Sequence, residues 1–457
     1  MSSSPTPSTQ RKSKKKATNS FNVYIHKVLK QVHPDAQISS NTIGQLDEFI
    51  KILAYTLVES ARKACIRTNR STVGKSEISL ATNFHFPKIL ADRATQMLEK
   101  ACFKFTSNIT KSEKQKERST PVRRECQAGL LFSVALVEKF IREFGASDLN
   151  VSKTSSVALA AVLESIIREI LDLAGNAAHD LHKVIIVIKH VYLAVANDEE
   201  LDQLRRDLGI EFVGGGVLSG IRAEILPSQE KRTKQAARRR RTKISGTTSS
   251  KKSHKYLPGT KALMDIRRYQ KTTTSLLRKL PFNREVRNIA KTINEQVKLS
   301  GDVLFSIGSI DALQSFVEQR VTTLFSNALD LAIHSKRDGI NGDDVKLAWR
   351  LTELSVRFTP NELKGIGNNG IERLAFRGGV KRKGASIFEI VRQYMYSLVY
   401  TILYRVLWYV KYRKVVTIGI KDLRIGFESM GINFTIPNAM GKSKSKSHRK
   451  PTTISEK

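Results

Sequence analysis

The chain has 457 residues, of which 40% are hydrophobic, enough length and apolar content for several small domains with folded cores. Its 78 Lys and Arg stand against 42 Asp and Glu, a formal net charge of +36, which points to a polyanionic partner: nucleic acid before an anionic membrane surface. No apolar run opens the chain as a secretory signal would. The most apolar stretch, "YSLVYTILYRVLWYV" (396–410), is too short to span a bilayer and carries Arg405.

In chain order, basic runs alternate with helical units. "RKSKKK" (11–16) has five basic residues in six, "KSEKQKERSTPVRR" (111–124) is a charged linker, "KRTKQAARRRRTK" (231–243) has eight in thirteen, and "GKSKSKSHRK" (441–450) comes near the end. Such runs repel themselves and bury no apolar area, so disorder is expected unless a polyanion neutralises them. Between them a pattern repeats four times: short helix, loop, long amphipathic helix, loop, short helix. The long helices are expected at 40–67, 155–180, 310–336 and 386–412. In the second, Leu159, Val162, Leu163, Ile166, Ile170, Leu171 and Ala174 fall at helical spacing and make one apolar stripe. A helix of this length spans roughly 40 Å. Two short neighbours cannot cover it, so each unit needs a partner. After each long helix comes a related segment, "NRSTVGKSEI", "HKVIIVIKHV", "KRDGINGDDV" or "RKVVTIGIKDL". Basic residues there lead into a short extended piece and then a polar residue able to cap the next helix. Positive charge at one end of every long helix is a place for a phosphate backbone. No phosphate loop, metal-ligand cluster or nucleophile–base constellation stands out. Neither catalysis, a metal nor a cofactor is therefore expected. Cys65, Cys102 and Cys126 are an odd number without ligand spacing and read as reduced thiols.

At "VYIHKVLKQVHPDAQISS" (23–40) and on to about residue 107 the sequence resembles core histone 2B. "AGLLFSV" (128–134), "ALAAVLESIIREILDLAGNAA" (158–178), "NDEEL" (197–201) and "GGVLSGI" (215–221) resemble histone 2A. "RTKQAAR" (232–238), "HKYLPGTKALMDIRRYQKTTTSLLRKLPFNREVRNIA" (254–290) and "AIHSKR" (332–337) resemble histone 3, and "GIERLAFRGGVKRKG" (370–384) histone 4. The set is similar to the fused histone doublets and multiplets of giant DNA viruses. It implies an all-α chain of four histone folds in two intrachain handshake pairs, with basic tails and linkers. The expected divisions are a basic tail at 1–19, a 2B-like fold at 20–107, a basic linker at 108–125 and a 2A-like fold at 126–227. A basic linker at 228–253 precedes a 3-like fold at 254–351, a linker at 352–369, a 4-like fold at 370–434 and a basic tail at 435–457.

The resemblance implies sequence-independent wrapping of double-stranded DNA by two copies of the chain. DNA contacts carried over are Arg70, Arg284, Arg337, Arg382 and Arg413, with Arg278 and Lys279 as backbone contacts and Lys255, Tyr256 and Lys271 where DNA enters and leaves. Leu136, Ile185, Leu304, Glu372 and Phe376 stand where the family has basic residues, so looser DNA ends are expected. Glu164, Glu169, Asp172, Asp198, Glu199 and Glu200 match an acidic patch that receives arginine-bearing partner proteins; Ile89 and Met97 replace glutamates beside it. NDEEL also suits a helix N-terminus, where negative charge is favoured. His334, Asp344 and Leu347 match the joint between two copies. The place of action implied is a nucleus or viral factory, and the virion if the chain is viral. No membrane partner is expected. A histone-fold transcription factor and a scaffold that condenses genomes without discrete particles are the alternatives.

Overall fold

The computed structural model describes residues 20–114, 123–144, 149–217, 220–226, 259–298, 301–306, 308–352 and 359–435. The basic runs at 11–16, 231–243 and 441–450, and with them Lys255 and Tyr256, lie outside these residues. The first unit consists of α1 (Asn22–Val32), β1 (Gln37–Ile38), α2 (Ser40–Arg67), β2 (Thr72–Val73), α3 (Lys75–His85) and α4 (Lys88–Lys114). The second has α5 (Arg124–Ala128), α6 (Val134–Phe144), β3 (Asn150–Val151), α7 (Lys153–Asp180), β4 (Ile185–Ile186), α8 (Ile188–Asn197), α9 (Glu199–Asp207) and β5 (Ile210–Phe212). The third contains α10 (Thr260–Lys271), α11 (Lys279–Val297), β6 (Leu304–Phe305), α12 (Ser309–His334), β7 (Gly339–Ile340) and α13 (Gly342–Thr352). The fourth contains α14 (Asn368–Arg377), β8 (Arg382–Lys383), α15 (Ile387–Tyr412), β9 (Thr417–Ile418), α16 (Ile420–Glu428) and β10 (Asn433–Thr435). The architecture is all-α, with strands of only two or three residues.

Local chemistry sets the ends of the long helices. Ser39 accepts the N–H of Thr42 and Ser152 that of Ser155, so α7 starts two residues before the expected boundary. Each long helix stops the same way. Two residues past its last turn, Asn69, His182, Lys336 and Lys414 take left-handed backbone (φ 57°, 52°, 57° and 55°). The next N–H then returns to the helix: Arg70 to Cys65, Lys183 to Ala178, Arg337 to Ala332 and Val415 to Val410. That turn ends α12 at His334 rather than at the expected residue 336. Two linkers are also more ordered than expected. α4 runs on through Lys114, and residues 359–367 fold back onto the third and fourth units, burying Leu363 and Ile366.

The long helices are covered in pairs. The strand before one long helix joins, in parallel, the strand after the other: β1 with β4 and β2 with β3 in the first two units, β6 with β9 and β7 with β8 in the last two. The pairing is therefore head-to-tail, with an apolar core in each pair. One gathers Leu53, Leu57, Ile166 and Ile170; the other gathers Phe316, Phe325, Leu398 and Ile402. Close approach requires small residues. A Cβ on Gly426 in α16 would lie 2.6 Å from the Val406 side chain of α15.

A largely polar junction holds the two pairs together, with Val213 and Ile225 of the second unit buried in the core of the second pair. β10 pairs with β5, and Gln45 on α2 exchanges hydrogen bonds with the Val213 backbone (2.8 and 2.9 Å) while accepting from Thr435 (3.0 Å). Arg424 meets Glu48 at 2.8 Å and Arg320 meets Glu211 at 2.8 Å. Lys189 donates to the Gln270 and Lys271 carbonyls at the end of α10 (2.8 and 2.9 Å). From the α15–α16 contact, Gly426→Ala should lower stability by about 1–3 kcal/mol through overpacking. Gly220→Ala, where an added Cβ meets nothing within 4 Å, should be nearly neutral. Urea unfolding of the two variants checks the difference.

Candidate nucleic-acid interface

Head-to-tail pairing brings the loop after one long helix beside the loop before its partner, so basic residues far apart in sequence become neighbours. The β7–β8 pair is the most cationic: a surface cleft of about 570 Å3 there is lined by Lys336, Arg337, Asp338, Arg382 and Lys383, among others. The partial counter-charges are on the rim, with Asp338 3.2 Å from Arg382 and Glu372 2.6 Å from Lys383. A second cleft of about 490 Å3 lies where the first turns of α11 and α14 converge, lined by Arg278, Lys364, Arg373 and Arg392 and by no carboxylate. Neither helix has a side-chain cap at its start, so first-turn N–H groups add to the positive potential. The approach is close: a Cβ on Gly370 would be 2.9 Å from Leu277.

Of the arginines expected to meet DNA, Arg278, Arg284 and Arg382 are exposed. Arg70, Arg337 and Arg413 have an additional task that sequence reading missed. Each grips the carboxylate at the third position of the following short helix: Arg70 with Glu77 (2.6 Å), Arg337 with Asp344 (2.6 Å) and Arg413 with Asp422. That carboxylate accepts the N–H at the helix start, from Gly74, Asn341 and Gly419 respectively. The cap thus comes from inside the helix, not from the polar residue expected before it. Burial alone would raise the Glu77 and Asp344 carboxyls; hydrogen bonds from backbone N–H groups and from the arginines outweigh it and hold both below the usual range. The arginines still expose 60%, 40% and 43% of their side chains, so they can contact a phosphate while clamped. Lys279 pairs with Asp311 at 3.0 Å, and Lys271 is exposed at the end of α10. Nothing in the spacing of Lys364, Arg373 and Arg392 along the sequence signals the convergence of two helix starts.

Three expectations need correction or refinement. Glu164 is not a surface residue: its side chain is 1% exposed and accepts the Leu131 and Phe132 N–H groups (2.7 and 3.1 Å). Glu318 in α12 does the same for Leu276 and Leu277. Both fasten the segment before a short helix to a long one, which a buried carboxylate does only when hydrogen-bonded. Asp344 is likewise no free surface carboxylate, since both its oxygens are taken up by Arg337 and the Asn341 N–H; His334 and Leu347 are exposed beside it. Of the remaining acidic residues, Asp198 caps α9 through the Leu201 N–H (2.8 Å) and Glu200 accepts the Ile89 N–H at the start of α4 (3.3 Å). Glu169 pairs with Arg93 of α4 (2.9 Å), Asp172 lies 3.6 Å from His33, and Glu199 is exposed. An arginine of the same chain already occupies this acidic surface.

The positions where basic residues are replaced are also on view. Ile185 on β4 is 48% exposed and Leu304 on β6 54%, so two of the four strand pairs present apolar side chains at their loop ends. Phe376 stacks on Tyr269 with Lys383 over its ring.

A family model described as the core histone domain, covering histones 2A, 2B, 3 and 4, matches residues 6–84 and 258–351. A doublet of histones 2B and 2A from Melbournevirus is 31% identical over 220 residues, covering 48% of this chain and 75% of that protein. The chain belongs to the core histone family. This membership supports a DNA-packaging function, with DNA and histones as the partners such proteins take. Among the described residues of this histone, no group of three or more His, Cys, Asp or Glu could hold a metal ion. No described helix is long and apolar enough to cross a membrane. The three cysteines are unpaired.

The second unit lacks the arginine clamp. There His190 takes the place of the acid, its Nδ1 accepting the Val187 N–H at 3.2 Å, which requires a neutral ring. Burial, then Lys189 and Lys183 nearby, push its pKa down. The folded state therefore resists a proton that the unfolded chain accepts near the ordinary histidine value of about 6.5. Stability from this cap is present above that value and is lost as pH falls below it. His190→Asn keeps an acceptor that does not titrate, so between about pH 7 and pH 5 its melting temperature should fall less than the parent's.

Proposed function

We propose that the chain is a fused core histone quadruplet, in the order histone 2B, 2A, 3 and 4, and that two copies wrap double-stranded DNA into a nucleosome-like particle. The observation that carries the proposal is the head-to-tail pairing, seen twice, which sets loop cations from two units side by side. The domain divisions given above go with this reading, the 4-like unit taking in the folded-back segment from residue 359. Arg70, Arg278, Arg284, Arg337, Arg382 and Arg413, with Lys271 and Lys279, serve as phosphate and minor-groove contacts without base reading; histone octamers are the established example of such binding. Bending DNA costs energy, and many cation–phosphate contacts with counterion release offset it. The second copy joins through His334, Leu347 and the neighbouring exposed Leu351 of α13. The acidic flank around Glu199 receives arginine-bearing proteins, less readily for the presence of Arg93. Likeness to a viral doublet favours work in a viral factory or host nucleus, and in the virion.

Micrococcal nuclease digestion of the protein assembled on long DNA of mixed sequence should leave a discrete fragment, at most on the order of 146 base pairs. A featureless smear would mean condensation without particles. Because Ile185 and Leu304 are apolar, protection at the fragment ends should be lost at lower salt than with cellular octamers. Leu347→Asp combined with His334→Ala should leave folded chains that bind DNA singly; an unchanged particle mass in sedimentation would refute the two-copy joint.

A further inference from the structure

We infer that the outward face of α15 is a platform for single-stranded nucleic acid, on which Tyr404, Trp408 and Tyr412 stack successive bases while neighbouring cations hold the sugar–phosphate backbone. The inference stands beside duplex packaging and does not rest on it. It gives a task to the most apolar stretch of the chain, 396–410, whose outward residues the paired core does not use.

The core takes one side of α15: Ile402, Leu403, Val406, Leu407 and Val410 are all buried. Polar residues are expected on the opposite side of such a helix. Instead an aromatic residue recurs at every fourth position, 396, 400, 404, 408 and 412. The rings line up along the helix. Tyr396 and Tyr400 lie 6.1 Å apart between centroids and within 17° of parallel, Tyr400 and Tyr404 6.1 Å and 16°, and Tyr404 and Trp408 6.4 Å. The first part of the row is fixed in place, since Asn361 donates to Tyr396 (3.3 Å) and the Tyr400 hydroxyl to Gln296 of α11 (2.8 Å). The second part is open: Tyr404 is 39% exposed, Trp408 47% and Tyr412 86%. A contiguous exposed apolar surface of this kind marks an interaction site.

Charge decides what the surface takes. Residues 390–414 include five Lys and Arg and no Asp or Glu. Lys411 lies 5.1 Å from the centre of the Trp408 ring and is held there by the Val297 carbonyl (2.6 Å). Arg405 is anchored on the Ser429 carbonyl (2.6 Å). Arg413 keeps 43% of its side chain exposed, and Lys414 is exposed just past the helix end. Rings flanked only by cations repel a basic partner and attract a polyanion. A duplex keeps its base faces stacked inside, whereas a single strand offers unstacked bases and phosphates together. Four residues of helix advance about 6 Å, a step that an unstacked strand can follow and a stacked one, at roughly 3.4 Å per base, cannot.

The chain carries its own reporter. Of its two tryptophans, Trp349 is fully buried and Trp408 is exposed. The full chain is titrated at matched salt with oligothymidylate, with oligouridylate and with a duplex, each about 12 nucleotides long. Both single strands should quench Trp408 fluorescence and the duplex should not; quenching by one of them alone assigns the source as DNA or RNA. Tyr412→Leu should weaken single-strand affinity, read by anisotropy, about five-fold or more, with an unchanged melting temperature. Trp408→Phe should keep most of the affinity that Trp408→Leu loses. Absence of quenching by either strand, equal quenching by the duplex, or a Tyr412→Leu chain that binds single strands as the parent does would each overturn the platform. Quenching on concentrating the protein alone, with a lower sedimenting mass for Tyr412→Leu, would make this face a joint between copies instead.

Discussion

Everything in this molecule follows from long helices that cannot cover their own apolar stripes. A helix of 26 to 28 residues flanked by short ones leaves much of its apolar side wet, and burial is the dominant favourable term in folding. Crossing two such helices head-to-tail buries both stripes at once. The same crossing forces the loop after one helix against the loop before the other, where two-residue strands satisfy the exposed backbone. Placement of the cations at paired loop ends is thus a by-product of core formation. The buried carboxylates Glu164 and Glu318 belong to the same scheme, tying the short first helices onto the long ones.

The junction between the two pairs is of another kind. What joins them is one short parallel ladder, the Gln45 amide shared among three units, ion pairs such as Arg424–Glu48 and Arg320–Glu211, and Val213 and Ile225 of the second unit, which are buried in the core of the second pair. Contacts of this polarity are weaker per area than a continuous core and more sensitive to salt. Lys189 illustrates the cost: burial pushes its pKa down, and the carbonyls ending α10 compensate it with hydrogen bonds. The seam between the two pairs is therefore largely polar, with an apolar share from Val213 and Ile225.

Electrostatics gives several cations two tasks. A chain of this net charge repels itself wherever arginines gather. Arg70, Arg337 and Arg413 sit close to an acid that also caps a helix, so part of the repulsion is offset by pairs that stabilise the loop. The second unit does without, using His190 and accepting a pH-sensitive cap. The acidic triplet at 198–200 is equally economical: Asp198 and Glu200 each satisfy a helix N-terminus, leaving Glu199 facing solvent.

Periodicity alone determined the class, the four long helices to within about two residues, and the need for pairing, because a stripe at helical spacing has one physical use. The excess of Lys and Arg determined the kind of partner, and the resemblance in motifs such as "NDEEL" and "GVKRKG" pointed to the family. What the sequence could not decide is which carboxylates are buried and which cations converge. Glu164 looks like any acid on a helix until the segment at 131–132 folds over it, and Lys364 reads as a lone charge in a linker. Burial and convergence depend on contacts between residues tens to hundreds of positions apart, and only the closed tertiary structure sets those distances.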